Sequence, residues 1–264
     1  MSAIADAWQS GDPYERYVGR WSRKVASRFV AWLGLPTGCT VVDVGCGTGA
    51  LCEAVLDHAA PARVIGVEPS DGFRETAAAR LRGRAELRAG SAQSIPLRDA
   101  EADAVLSALV LNFVPDPAAG VVEMARVARS GGTVAAYVWD YAGRMDLMRC
   151  FWDAAAEIDD NAAKLDEGAR FALCKPDALA ALFARAGMRD IVQTVIDVDT
   201  VFADFDDYWL PFTGGQGPAP SYAMSLPEAA RDRLRERLRE RLPARPDGSI
   251  ALVARALAIR GRIT

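Results

Sequence analysis

The segment Val41-Val42-Asp43-Val44-Gly45-Cys46-Gly47-Thr48-Gly49 constrains this chain more than any other. A short apolar run reaches an acid and then three glycines at alternate positions, and a helical pattern follows. Glycine adopts backbone conformations that a Cβ forbids, so this spacing permits a tight turn and a close approach of backbone to ligand. Asp43 stands at the carboxyl end of the run, the end at which open α/β sheets bind their ligands. A second run, Val64-Ile65-Gly66-Val67, also ends in an acid, Glu68, followed by Pro69. A carboxylate placed there can accept hydrogen bonds from both hydroxyls of a ribose.

The rest of the chain supplies elements of the same kind. Short apolar runs at Thr40–Val44, Arg63–Val67, 85–88, 104–107 and 133–138 alternate with helical patterns at 49–58, 72–82 and 116–129. Such alternation predicts a parallel sheet with helices on both faces. Residues 1–35 read as helical, with Trp21, Val25, Phe29 and Trp32 on one face, until Pro36-Thr37-Gly38 breaks the pattern. After residue 138 the pattern changes. Residues 141–174 read as helical, 177–187 as a helix closed by Gly187, and 191–198 as a strand. Residues 199–225 read as an aromatic loop with a flap at 214–220, 226–242 as an amphipathic helix and 250–259 as a last strand. This divides the chain into an N-terminal cover (1–35), a ligand-binding core (36–140) and a helical insertion (141–174). A continuation of the core (175–198), a lid insertion (199–249) and a final core strand (250–264) follow.

Composition removes whole classes of function. With 31 Lys+Arg against 35 Asp+Glu the net charge is −4, so the basic footprint of a nucleic-acid binder is missing. A single histidine, His58, rules out a multi-histidine metal centre, and no metal is expected. The five cysteines include no C-x-x-C pair and read as reduced thiols of a cytoplasmic protein. No apolar run reaches the roughly 18 residues of a membrane span, and the first residues lack a basic-then-apolar leader.

Two readings compete at the glycine turn. Gly45, Gly47 and Ala50 also satisfy G-x-G-x-x-A, with Glu68 at about the spacing of the acid in a dinucleotide fold, which keeps an NAD(P)-dependent oxidoreductase open. A glycine-rich turn with no ligand is the plainer alternative. Asp43 weighs against a dinucleotide, because its carboxylate would repel a pyrophosphate and attract an ammonium.

The segment VVDVGCGTG with VIGVEPS, continued by GSAQSIPLRDAEADAVLSALVLNFVPDP and GGTVAAYVWDYAGRM, resembles the class I S-adenosylmethionine (SAM)-dependent methyltransferases. The likeness covers about residues 14–140 and is strongest to bacterial small-molecule enzymes of the quinone-biosynthesis and Methyltransf_11 groups. It implies a Rossmann-like seven-stranded α/β sheet with lid insertions, and SAM as cofactor. Asp43, Gly45, Cys46, Gly47 and Gly49 would line the methionine part, with Asp43 near its amino group. Glu68 would hold the ribose, Pro69 and Ser70 would flank the adenine, and Ser91 and Ala92 would meet its edge. Many relatives have an aspartate where this chain has Ser91. Leu109 and Asn112 would lie beside the sulfonium and substrate. Tyr14 and Tyr17 would belong to an N-terminal cover. Arg20 there is either a partner of the cofactor carboxylate or a solvated helix arginine.

Methyl transfer from a sulfonium needs mainly alignment, which supplies on the order of 7–11 kcal/mol, while a general base adds about 10²–10⁴-fold for a poorly acidic nucleophile. His58 falls at the far end of the 49–58 helix, away from the ligand edge, so no histidine base is expected. Tyr14, Tyr17, Asn112 and Asp140 remain as candidates. The aromatic clusters at 137–152 and 202–212 are either core packing or walls of an apolar substrate site. The arginine-rich stretch at 231–245 reads as a solvated helix with internal ion pairs, a membrane-surface or acidic-partner helix being the alternative. No Asn/Asp-Pro-Pro-Tyr/Phe loop and no Pro-Cys pair occurs, which with the acidic balance points to a small molecule, and the aromatic clusters suit an aromatic or hydrophobic metabolite as substrate. A SAM-binding protein without turnover is a third reading, and homodimerisation stays open.

Overall fold

Strands β1 (Thr40–Val44) and β2 (Arg63–Val67) fall on the two apolar runs that carry the acids, and all but the first residue of each is buried. Four-residue apolar stretches of this kind are covered on both faces, as parallel strands are. Between them α2 (Ala50–His58) starts one residue after Gly49. The computed structural model describes residues 15–215 and 217–264. Tyr14 and the rest of the expected N-terminal cover before residue 15 lie outside the described residues, as does Gln216 of the expected flap.

Helix α1 (Arg20–Leu33) follows a single wide turn at Glu15–Gly19. Of its expected apolar face, Trp21, Val25 and Phe29 are buried, and Arg260 lies over the Trp32 ring at 4.9 Å. Then come α3 (Asp71–Leu81), β3 (Glu86–Arg88), β4 (Ala102–Ala108), α4 (Pro117–Val127) and β5 (Ala128–Trp139). Ser70 caps α3 and Asp116 caps α4, each accepting a backbone N–H three residues on. The second half adds α5 (Asp146–Ala156), α6 (Glu167–Arg170), α7 (Pro176–Arg185) and β6 (Arg189–Phe202). It ends with α8 (Phe205–Trp209), α9 (Pro218–Ser225), α10 (Glu228–Arg241) and β7 (Ile250–Arg262).

The seven strands take the order β3-β2-β1-β4-β5-β7-β6. β1 to β5 pair in parallel. β7 runs against β5: Gly131 bonds to Ile263, and Asp140, nine residues further on, bonds to Arg255, eight residues back. A doubly wound dinucleotide fold has the order 3-2-1-4-5-6. The insertion of an antiparallel β7 between β5 and β6 departs from it.

Two expectations are corrected. Residues 199–225 are not a loop: β6 continues to Phe202, and helical turns occupy Phe205–Trp209, Leu210–Gly214 and Pro218–Ser225. The Asp204 side chain caps α8, and Tyr208, Phe212 and Tyr222 turn inward, so aromatic burial organises what composition alone reads as turn. Residues 141–174 are not helical throughout. Asp166 accepts from Gly168 N and starts a new short helix, leaving α5, one turn at Ala162–Lys164, and α6.

The described residues gather into two units. The first comprises residues 22–138, 173–196 and 256–264 and holds the sheet's parallel half. In it Phe29 is fully buried against Tyr137, ring centroids 4.8 Å apart. The second comprises residues up to 21, 139–172 and 197–255. Its interior is aromatic: Phe151 stacks on Phe212 at 4.5 Å, and the Tyr208 hydroxyl donates to Leu147 O at 2.9 Å. α10 lays Leu234 and Leu238 inward and pairs its arginines in two ways, Arg237 with Glu240 within the helix, and Arg237 and Arg241 with Glu157 and Arg235 with Asp206 on other elements of the unit. The ion pairs expected within the helix are thus partly tertiary ones. Among the described residues no helix is long and apolar enough to cross a membrane.

Removing the Phe29 ring leaves a void in the first unit. Phe29→Ala is expected to lower unfolding free energy by about 3–5 kcal/mol, read from urea denaturation followed by circular dichroism. A loss under ~1 kcal/mol contradicts the packing described.

Candidate functional site

Because β1, β2 and β4 run in parallel, their carboxyl ends share one edge of the sheet. Asp43, Glu68, Leu109 and Asn112 all stand at that edge. The turn after β1 is tied to β2: Gly45 N and Cys46 N both donate to Val67 O, at 2.7 and 3.1 Å. Gly45, Gly47 and Gly49 have φ of 74°, 52° and 85°, in the left-handed region that L side chains rarely adopt. A Cβ on Gly45 would stand 2.5 Å from a Val110 methyl, while a Cβ on Gly47 would meet nothing within 4 Å. The first glycine is therefore required by packing and backbone together. The second keeps a clear face over the turn.

Asp43 is 1% exposed. Its Oδ2 accepts the Cys52 thiol at 3.2 Å, from the first turn of α2, and its Oδ1 is buried with no partner. Burial pushes the carboxyl up to about 7, against the smaller pull of the thiol. Glu68, also buried, holds the turn from the other side. Its Oε2 accepts Gly47 N at 3.1 Å and its Oε1 accepts Ser70 N at 2.9 Å. Burial raises this carboxyl too, opposed by those two N–H groups and by Arg74. Each oxygen keeps a further lone pair, so two amides orient the carboxylate without saturating it.

Further along the edge, Leu109 has φ of 62° while donating its N–H to Tyr137 O at 2.8 Å. A bulky residue held there stores strain, which is typical of ligand-contacting turns. Asn112, in the single turn Leu111–Phe113, has both Nδ2 and Oδ1 buried without partners. A wholly unsatisfied buried amide costs about 1–3 kcal/mol per group, so its persistence points to a ligand. Ser91 and Ser94 exchange backbone hydrogen bonds at 3.2 and 3.1 Å, folding Ala92 into the interior. Pro69 is exposed.

The structure thus brings the turn, Asp43 and Glu68 into one bonded assembly and sets Asn112 and Leu109 on the same edge. Tyr17 and Arg20 belong to the other unit. There the Arg20 guanidinium donates to the Asp207 carboxylate at 2.8 Å and lies over the Trp21 and Phe202 rings. His58 is the last residue of α2 and exposed, at the end remote from the turn. Sequence reasoning missed Cys52. Its signal was present, since the first turn of a helix that begins after a glycine turn faces the strand it leaves.

These groups suit the methionine part and ribose of SAM. An unpartnered buried carboxylate oxygen meets an ammonium, and a second acid at the end of the neighbouring strand can take hydroxyls.

A folded-state carboxyl raised to about 7 stabilises the fold fully below its unfolded value near 4, and this is lost as pH rises through 7. Asp43→Asn removes that loss. The variant is expected to melt several °C higher relative to the wild type at pH 8 than at pH 4.5, by scanning calorimetry; a difference independent of pH contradicts the burial described.

Residues 42–136 match a family model described as a methyltransferase domain. The malonyl-[acyl-carrier protein] O-methyltransferase of Hahella chejuensis is 36% identical over 98 residues, covering 36% of this chain and 35% of that one. The chain spans less than half the length of the curated relatives it matches. Among solved structures, phosphoethanolamine N-methyltransferase 2 of Haemonchus contortus in complex with SAM superposes with a TM-score of 0.56 at 14% identity, over 92% of this chain and 52% of that one. The [4+2]-cyclase SpnF superposes with a TM-score of 0.56 at 17% identity, over 99% of this chain and 89% of that one. Family match and fold agree: residues 42–136 match the methyltransferase-domain model, and the chain takes the Rossmann-like α/β fold of class I SAM-dependent methyltransferases.

Proposed function

We propose that this protein transfers the methyl group of SAM to a small, aromatic or hydrophobic metabolite. The single observation that carries the cofactor assignment is the Asp43 Oδ1, buried and without a partner beside the glycine turn. Bound SAM supplies an activated methyl on a sulfonium; the chain supplies position. Asp43 takes the ammonium, and the Cys52 thiol fixes its other oxygen so that Oδ1 faces the ligand. Glu68 takes the ribose hydroxyls while holding Gly47. Asn112, unsatisfied on both ends of its amide, orients the substrate or sulfonium side. The mildly acidic charge supports a small-molecule substrate over nucleic acid, and the aromatic interior of the second unit suits an apolar one. Free thiols at all five cysteines suit the cytoplasm.

Calorimetry separates SAM from NAD(P). SAM is expected to bind and NAD(P) not to bind. Asp43→Asn should weaken SAM at least about 100-fold, the loss of a buried charge pair. Cys52→Ala should weaken it severalfold and Cys52→Ser should restore it, because the hydroxyl still donates. Turnover of labelled SAM in a metabolite extract separates an enzyme from a binding protein; no label transfer into any metabolite overturns the proposal.

The carboxylate, not the acid, pairs with an ammonium. With the Asp43 carboxyl at about 7 before binding, SAM affinity should fall about tenfold per pH unit below 7 and level off above it. Binding at pH 6 should release close to one proton, measured from the dependence of the heat on buffer ionisation enthalpy. A flat profile from pH 5 to 8 contradicts it.

A further inference from the structure

The second unit holds another unsatisfied acid. Glu167 lies on the four-residue α6 and is 1% exposed. Trp152 Nε1 donates to its Oε2, and its Oε1 has no partner. Tyr17, equally buried, has a hydroxyl without a partner, and the charge of Glu167 is close enough to help push that hydroxyl upward. The neighbouring groups do not neutralise Glu167. Asp166 takes Arg149 for itself at 2.5 Å, and the Tyr208 hydroxyl is used by Leu147 O. Arg170 acts on Glu167 more weakly than Asp166 does, and its guanidinium lies over Phe171. A run of packed rings links the two residues: Trp152, which donates to Glu167, packs on Phe151 at 5.2 Å and on Tyr222 at 5.4 Å, Phe151 stacks on Phe212 at 4.5 Å, and Phe212 packs on Tyr17 at 5.3 Å, centroid to centroid.

We propose that Glu167 and Tyr17 anchor an amine-binding site in this unit, which takes a small aromatic amine as its ammonium ion. A lone carboxylate in an apolar shell costs several kcal/mol, and a neutral donor leaves that charge uncompensated. An ammonium cancels it and uses the free Oε1 and the Tyr17 oxygen as acceptors. Without such a partner burial pushes the carboxyl up to about 7, so near neutral pH the group exchanges its proton readily for a cation. Entry requires opening only short elements, since α6, α8 and α9 have four, five and eight residues. The proposal rests on the transferase reading in making this amine the substrate; the site itself stands on the second unit alone.

The test titrates the full chain, with and without S-adenosylhomocysteine, with 2-phenylethylamine and its neutral match 2-phenylethanol by calorimetry. The amine is expected to bind at least tenfold tighter than the alcohol. Glu167→Gln keeps the Trp152 hydrogen bond and should abolish that preference with S-adenosylhomocysteine affinity unchanged; Tyr17→Phe should reduce the preference severalfold. No preference in the wild type, or a preference that survives in Glu167→Gln, overturns the proposal. If Glu167→Gln does not fold, Tyr17→Phe decides: a severalfold smaller preference supports the proposal, and an undiminished one overturns it. If S-adenosylhomocysteine fails to bind while the amine preference holds, the transferase reading fails and the amine site stands.

Discussion

Asp43 is driven into the end of the central strand with one thiol for company, and the rest of the site is arranged around that carboxylate. Its strand has neighbours on both sides, so water hardly reaches it, and the glycine turn that follows carries no side chain at Gly47 to cover Oδ1. Glu68, the second acid, is spent partly on holding the same turn through Gly47. The folded chain therefore carries an electrostatic cost at this carboxyl, which a bound cation would relieve. A site for a pyrophosphate would need the opposite arrangement, open N–H groups and no acid at the strand end.

The fold by itself does not choose the chemistry. A cyclase superposes on this chain as well as a methyltransferase does. What separates the readings is local: an unsatisfied aspartate oxygen, an unsatisfied asparagine amide, and a strained leucine on one sheet edge. The antiparallel β7 adds a topological argument against a two-fold dinucleotide domain.

The parallel half of the sheet was legible because each strand is a short apolar run bounded by a breaker, and β1 and β2 match their runs to the residue. Asp43 and Glu68 were legible for the same reason, standing at strand ends next to glycine or proline. Residues 199–225 were not. Their glycines, prolines and aromatics carry no period, and the helical turns there are stabilised by rings packing on α5, a distant element. Cys52 and Glu167 also escaped notice. A cysteine and a glutamate on helices are ordinary surface or core residues until a partner is seen: Asp43 nine residues upstream for one, Trp152 fifteen residues upstream for the other.

Among the described strands β6 has β7 as its only neighbour in the sheet, and β7 follows it in the chain. During synthesis on the ribosome β6 therefore emerges about fifty residues before anything can pair with it, exposing both edges of a fourteen-residue strand. Its exposed residues are mixed: Arg189, Asp190, Gln193 and Asp199 intersperse charge and polarity among the exposed Val192, Val195 and Val201. The nascent chain thus waits with an edge only partly blunted, and a truncation that removes β7 should leave β6 as a surface for self-association.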